Sequence, residues 1–103
     1  MDRSLPDRLR EALRTRSYRL TQHAEQEREA DTITIAELSQ AFGSAAAELL
    51  EDYPTDPRGH SALFLGFTSE DHPLHAVVGF ADPGTAVFVT VYRPDPKEWY
   101  DWR

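Results

Sequence analysis

Three strand-length apolar runs joined by short, turn-rich links fill most of the second half of this chain, and they constrain its fold more than any other feature. Ser61 to Phe67, Leu74 to Phe80 and Thr85 to Tyr92 are rich in Val, Leu, Phe and Thr. They are separated by Thr68-Ser69-Glu70-Asp71-His72-Pro73 and by Asp82-Pro83-Gly84. Links this short join antiparallel neighbours, because a parallel crossover needs a dozen residues or more. Alternation assigns Leu63, Leu65, Phe67, Leu74, Ala76, Val78, Phe80, Val87, Val89 and Val91 to one face, expected to pack on helices. The other face then holds Ala62, Phe64, Gly66, His75, Val77, Gly79, Ala86, Phe88, Thr90 and Tyr92. That second face is too apolar to stand in water. It is expected to be covered by the tail Lys97 to Trp102, by a partner, or by a second copy in a homodimer.

The first half reads as helices. Ser4 can cap a helix with Asp7 three residues on, Pro6 in its first turn and Leu5, Leu9, Ala12 and Leu13 at helical spacing. After Ser17 to Leu20, Thr21 precedes Gln22 to Ala30, a stretch of helical composition with little to bury beyond Ala24 and Ala30. Thr34 with Glu37 is a capping box, Ile33 can staple onto Leu38, and Gly43 follows Phe42 as a stop. From Ser44 to Tyr53 propensity favours helix, although Pro54 to Gly59 ends it abruptly.

Composition narrows the function classes. A chain of 103 residues supports one domain with a real core. With no cysteine there is no disulfide framework, thiolate zinc site or thiol nucleophile, and a cytoplasmic domain is the default. No apolar run approaches the roughly 20 residues of a membrane helix. The net charge of −7 argues against indiscriminate nucleic-acid binding. That charge is unevenly spread: residues 1–19 carry six arginines and three acids, and residues 20–57 carry nine acids and one arginine. A local cationic surface is therefore compatible with an acidic whole.

Several short stretches in fixed order carry a family resemblance. They are His23-Ala24 opening a helix, Ile33-Thr34 before an acidic helix, Glu51-Asp52-Tyr53-Pro54, Leu65-Gly66-Phe67 and Pro73-Leu74-His75. The last is the closing Thr90-Val91-Tyr92-Arg93-Pro94-Asp95-Pro96-Lys97-Glu98-Trp99. From Arg19 to Trp102 the chain resembles the bacterial domain of unknown function 4258 family, with residues 1–19 an added basic helix. The resemblance implies a strand over Glu48 to Tyr53, overriding propensity, and hence an α+β domain with N-terminal helices on one face of a four-stranded antiparallel sheet. That layout is similar to the RelE and BrnT type ribonuclease toxins, and it implies a cognate antitoxin as partner and RNA as substrate. Many relatives have arginine four residues after the helix histidine, where this chain has Glu27.

The chemistry such a toxin needs can be assigned to residues here. Metal-independent RNA cleavage needs a base, an acid and a phosphate-binding cation. His23 with Glu27 one turn on supplies a base and its orienter, His75 or Tyr92 an acid, and Arg58 or Arg93 a phosphate ligand. Each has a plainer alternative: a capping His23, a packed Tyr92 with its hydroxyl satisfied, arginines solvated in turns. His23, Glu27 and His75 are also metal-ligand types, but no second histidine follows at ligand spacing. There is no phosphate-cradling glycine loop, so no cofactor is expected. The rival reading is a non-catalytic protein-interaction module. Convergence of His23, Glu27, His75 and Tyr92 on one open cleft favours the enzyme, and scattered or sealed groups favour the module.

Overall fold

The first helix, α1 (Leu5–Arg14), starts after Ser4, whose own backbone is extended and whose hydroxyl accepts the Asp7 N–H. In the computed structural model, which describes residues 4–82 and 84–103, α1 buries Leu9, Ala12 and Leu13. Asp2 and Arg3 of the basic segment, and Pro83 of the second turn, lie outside the described residues. A strand, β1 (Tyr18–Leu20), follows, then α2 (Gln22–Ala30) capped by Thr21 and α3 (Ile35–Phe42) closed by the Thr34–Glu37 capping box. Both halves of that box form, at 2.9 and 3.0 Å, so two otherwise orphaned N–H groups of α3 are satisfied locally. The chain continues as β2 (Glu48–Tyr53), β3 (Ser61–Phe67), β4 (Pro73–Gly79) and β5 (Ala86–Tyr92), and ends in a short 3₁₀ turn at Tyr100–Trp102. Among the described residues no helix is long and apolar enough to cross a membrane.

The strand at Glu48–Tyr53 forms as the family resemblance implied, against local propensity. The sheet, however, has five strands in the order β1-β5-β4-β3-β2, and it is mixed rather than antiparallel. The added strand is β1, which pairs parallel to β5 through Tyr18↔Ala86 and Leu20↔Phe88. Three residues are too few for alternation to announce a strand, which is why Ser17 to Leu20 reads as a mere link.

The helices pack on one face, but the assignment of residues to faces needs correction. Cross-strand partners share a face, and the ladders pair Ala62 with Val78, Phe64 with Ala76 and Val78 with Phe88. The helix side is therefore Ala62, Phe64, Leu74, Ala76, Val78, Phe80, Ala86, Phe88 and Val91, joined by Leu9, Leu13, Ile33, Leu38 and Phe42 in one core. Leu63, Leu65, Val87 and Val89 lie on the outer face instead. Period-two alternation within each strand is right, whereas the phase between strands is set by the hairpin links. A bulge at Val89 then shifts the register, so that Val77 faces Thr90 and Val78 faces Phe88, which returns Val91 to the helix side. At Gly66 the two layers approach closely. A Cβ there would lie 2.4 Å from the Ala41 carbonyl oxygen, so α3 rests directly on the backbone of β3.

Beyond Phe88 the edge of β5 is bordered by α2 rather than by a strand. The Thr21 N–H bonds the Phe88 carbonyl at 3.0 Å, and its hydroxyl donates to the Val89 carbonyl at 3.2 Å. Glu27 then accepts the Val91 N–H at 3.1 Å, and Asp31 accepts the Arg93 N–H at 3.0 Å. Side chains of α2 and its flanks thus complete a ladder that β1 begins. This explains why a helix with so little apolar surface is held at all.

Candidate functional site

One row of residues crosses four strands on the outer face: Tyr92, His75, Leu65 and Glu48. The C-terminal segment runs over this row. The Trp99 ring packs edge-on against His75 with centroids 4.6 Å apart, the Trp102 carbonyl sits 2.6 Å from His75 Nε2, and Arg103 pairs with Glu48. His75 consequently has no solvent exposure. The tail expected over the second face does cover His75, but Ala62, Phe64, Ala86 and Phe88, which made that face look too apolar to stand in water, are covered by the helices instead.

The hydrogen bonds fix the state of the His75 ring. A carbonyl only accepts, so Nε2 carries the proton, and Nδ1 accepts from the Tyr92 hydroxyl at 3.0 Å. Burial pushes the His75 pKa below the usual histidine value, against the Trp102 carbonyl, which favours the charged form. Tyr92 is pushed up, first by burial and then by the carboxylates of Glu27, Glu51 and Glu98 around it. Its hydroxyl therefore stays protonated and donates.

The remaining expected site residues fall elsewhere. His23 stands largely in solvent, with Nε2 3.3 Å from Glu27 Oε1. That same Oε1 is the acceptor for Val91, so Glu27 is engaged on both sides. Arg93 bonds the Asp31 carbonyl at 3.0 Å, the Thr32 carbonyl at 3.1 Å and Glu37 at 3.4 Å, which pins the turn between α2 and α3. Arg58 lies at the opposite end of the sheet, its side chain 74% exposed and paired with Asp56. Tyr92 thus gathers His75 and Glu27 about it, while His23 is on the solvent side and Arg58 is remote. Among the described residues no group of three His, Cys, Asp or Glu is placed to hold a metal.

Sequence reasoning missed a cavity of about 270 Å³ at the uncovered end of the outer face. Its walls come from β1, β5, β4 and the β2–β3 loop, and include Arg19, Arg58, Ser61, Gly79, Val87 and Val89. The loop wall is built around the Asp56 carboxylate, which accepts the Arg58 N–H at 3.0 Å, the Arg58 guanidinium at 3.3 Å and the Ser61 hydroxyl at 2.8 Å. These donors, led by the Arg58 N–H, hold the Asp56 carboxyl down to about 2. Gly59 presses the loop onto β4's exit, since a Cβ there would meet that of Ala81 at 2.6 Å. The one signal in the sequence was Gly79, a glycine inside a strand.

No curated protein and no solved structure matches the chain. A family model described as "Domain of unknown function (DUF4258)" matches residues 20–93, from the end of β1 to just past β5. That segment holds the α2 ladder, the His75–Tyr92 pair and most of the cavity wall, and the chain belongs to this family of domains of unknown function.

Proposed function

We propose that this chain is a non-catalytic binding module. The observation that carries the reading is that His75, Glu27 and Arg93 are already spent on the fold, while His23 stands in solvent with only Glu27 beside it. His75 is sealed with both ring nitrogens bonded, Glu27 holds the β5 edge, and Arg93 holds a turn. A general acid or base has to reach the proton it moves. Electrostatics point the same way. Arg10 and Arg14 pair with Asp7 and Glu11 on their own helix, and Arg8 lies over the Phe80 ring, 5.0 Å from its centroid. Three carboxylates, not arginines, surround Tyr92. A phosphate backbone would be repelled there. In this reading the domain works in the cytoplasm, a compartment that asks for no disulfide framework.

A second reading, a RelE- or BrnT-like endoribonuclease toxin held by an antitoxin, is favoured by one contact. The Tyr92 hydroxyl touches His75, Glu27 bears on the same hydroxyl, and the cover over them is a chain segment outside the core. Expression of the wild type and of His23→Ala without a partner separates the two. Normal growth and intact RNA from a folded wild-type protein are the outcome expected of a binding module. Growth arrest with fragmented RNA, relieved by His23→Ala, would establish the toxin.

A further inference from the structure

A second row crosses the sheet at the end the tail leaves open: Arg19, Val87, Gly79, Ser61 and Tyr53, one from each of the five strands. Gly79 is four residues along β4 from His75, about 13 Å at the ordinary rise of a strand. Neither backbone conformation nor packing demands a glycine there, because an added Cβ would meet only the Val87 carbonyl oxygen, at 3.9 Å. What the missing side chain does is leave space. The floor beneath is apolar, made by Val87 and Val89.

The charges around that floor are of unequal standing. Asp56 and Arg58 neutralise one another, with Asp56 further occupied by Ser61. The Thr21 hydroxyl is also spent, donating to Val89 and accepting from the Ala24 N–H. Arg19 is exposed, and its side chain has no hydrogen-bond or ion-pair partner among the described residues. Asp82 stands exposed on the rim and disfavours a second anionic group. A free guanidinium is a fork for a carboxylate or a phosphate.

We propose that this cavity binds a small organic anion, with one carboxylate or phosphate head on Arg19 and a flat apolar body over Gly79, Val87 and Val89. The proposal rests on the binding-module reading and gives it a ligand class. The size agrees: a cavity of about 150 Å³ holds a benzene ring, so 270 Å³ has room for a ring and its head.

The test is a titration of the full chain with phenyl phosphate and, separately, benzoate, followed through the backbone amide resonances of Gly79, Val87 and Val89. Saturable shifts are expected, with Kd about 1 mM or tighter, and the tighter arm identifies the head group. Inorganic phosphate, a head without a body, and benzyl alcohol, a body without a head, are expected to bind at least about tenfold more weakly. Arg19→Gln should weaken binding about tenfold, the loss of one charge-assisted contact. Gly79→Val should abolish it in a chain whose remaining amide spectrum stays native. The proposal is overturned by unsaturated or absent shifts at these residues with both probes up to about 10 mM, or by equal affinity in Gly79→Val. Failure here with RNA intact on expression removes only the ligand assignment, whereas RNA cleavage removes the binding-module reading itself.

Discussion

At neutral pH the His75 ring carries no charge, because burial disfavours the cation and the Trp102 carbonyl offsets this without cancelling it. The unfolded chain takes up this proton near pH 6.5, the folded chain only at lower pH. The stability due to the neutral ring is therefore complete above 6.5 and is lost as the pH falls through the folded value. The melting temperature is expected to fall between about pH 7.5 and about pH 5, and to fall less in His75→Phe, which cannot titrate. Parallel slopes in the two proteins would contradict the assignment. Asp56 does not confuse the measurement. Its carboxyl is held down to about 2 against an ordinary 3.8, so its contribution is complete above the ordinary value and is lost only as the pH falls toward the lower one.

At the scale of elements, the contact between α3 and β3 decides how closely the two layers approach. Gly66→Ala would place a carbon 2.4 Å from the Ala41 carbonyl oxygen and 2.7 Å from its carbon, both backbone atoms with nowhere to turn. Either α3 lifts or β3 bends, at a cost of about 1–3 kcal/mol or more. Urea unfolding measures it, and an unchanged midpoint would mean the layers are not seated as described. Two helices were legible from their caps, Ser4 and Thr34, which each accept from the N–H three residues on; α2 was read from composition, and its Thr21 cap shows only in the structure. The meander was legible from its short links, although the direct pairing of His75 with Tyr92 was not. Strand phase was not, because it depends on hairpin geometry and on the bulge at Val89, neither of which has a composition of its own. The cavity was the least legible part. Arg19 and Arg58 are far apart in sequence, and they line the same cavity only after β1 pairs with β5.

At the scale of the whole molecule, the tail and the sheet form one unit. Trp99 lies against His75 and Arg103 reaches Glu48, so the segment crosses from β4 to the β2 edge. Trp99→Ala is expected to lower stability by about 1–3 kcal/mol, less than the loss of a fully buried tryptophan because Trp99 stays partly exposed. A urea midpoint equal to that of the wild type would show that the tail rests on the sheet without holding it. The ladder from α2 has a different consequence at this scale. Strand-to-strand growth needs two open borders, one to give and one to receive, and here one border is closed by Thr21, Glu27 and Asp31 beyond a strand of only three residues. The longer open border is β2, with its acidic Glu48, Glu51 and Asp52 and a register shift after Leu49. Two copies meeting there would leave only the three-residue edge of β1 on each, too short a border to recruit a third strand readily, so association by this route favours a pair over a fibre.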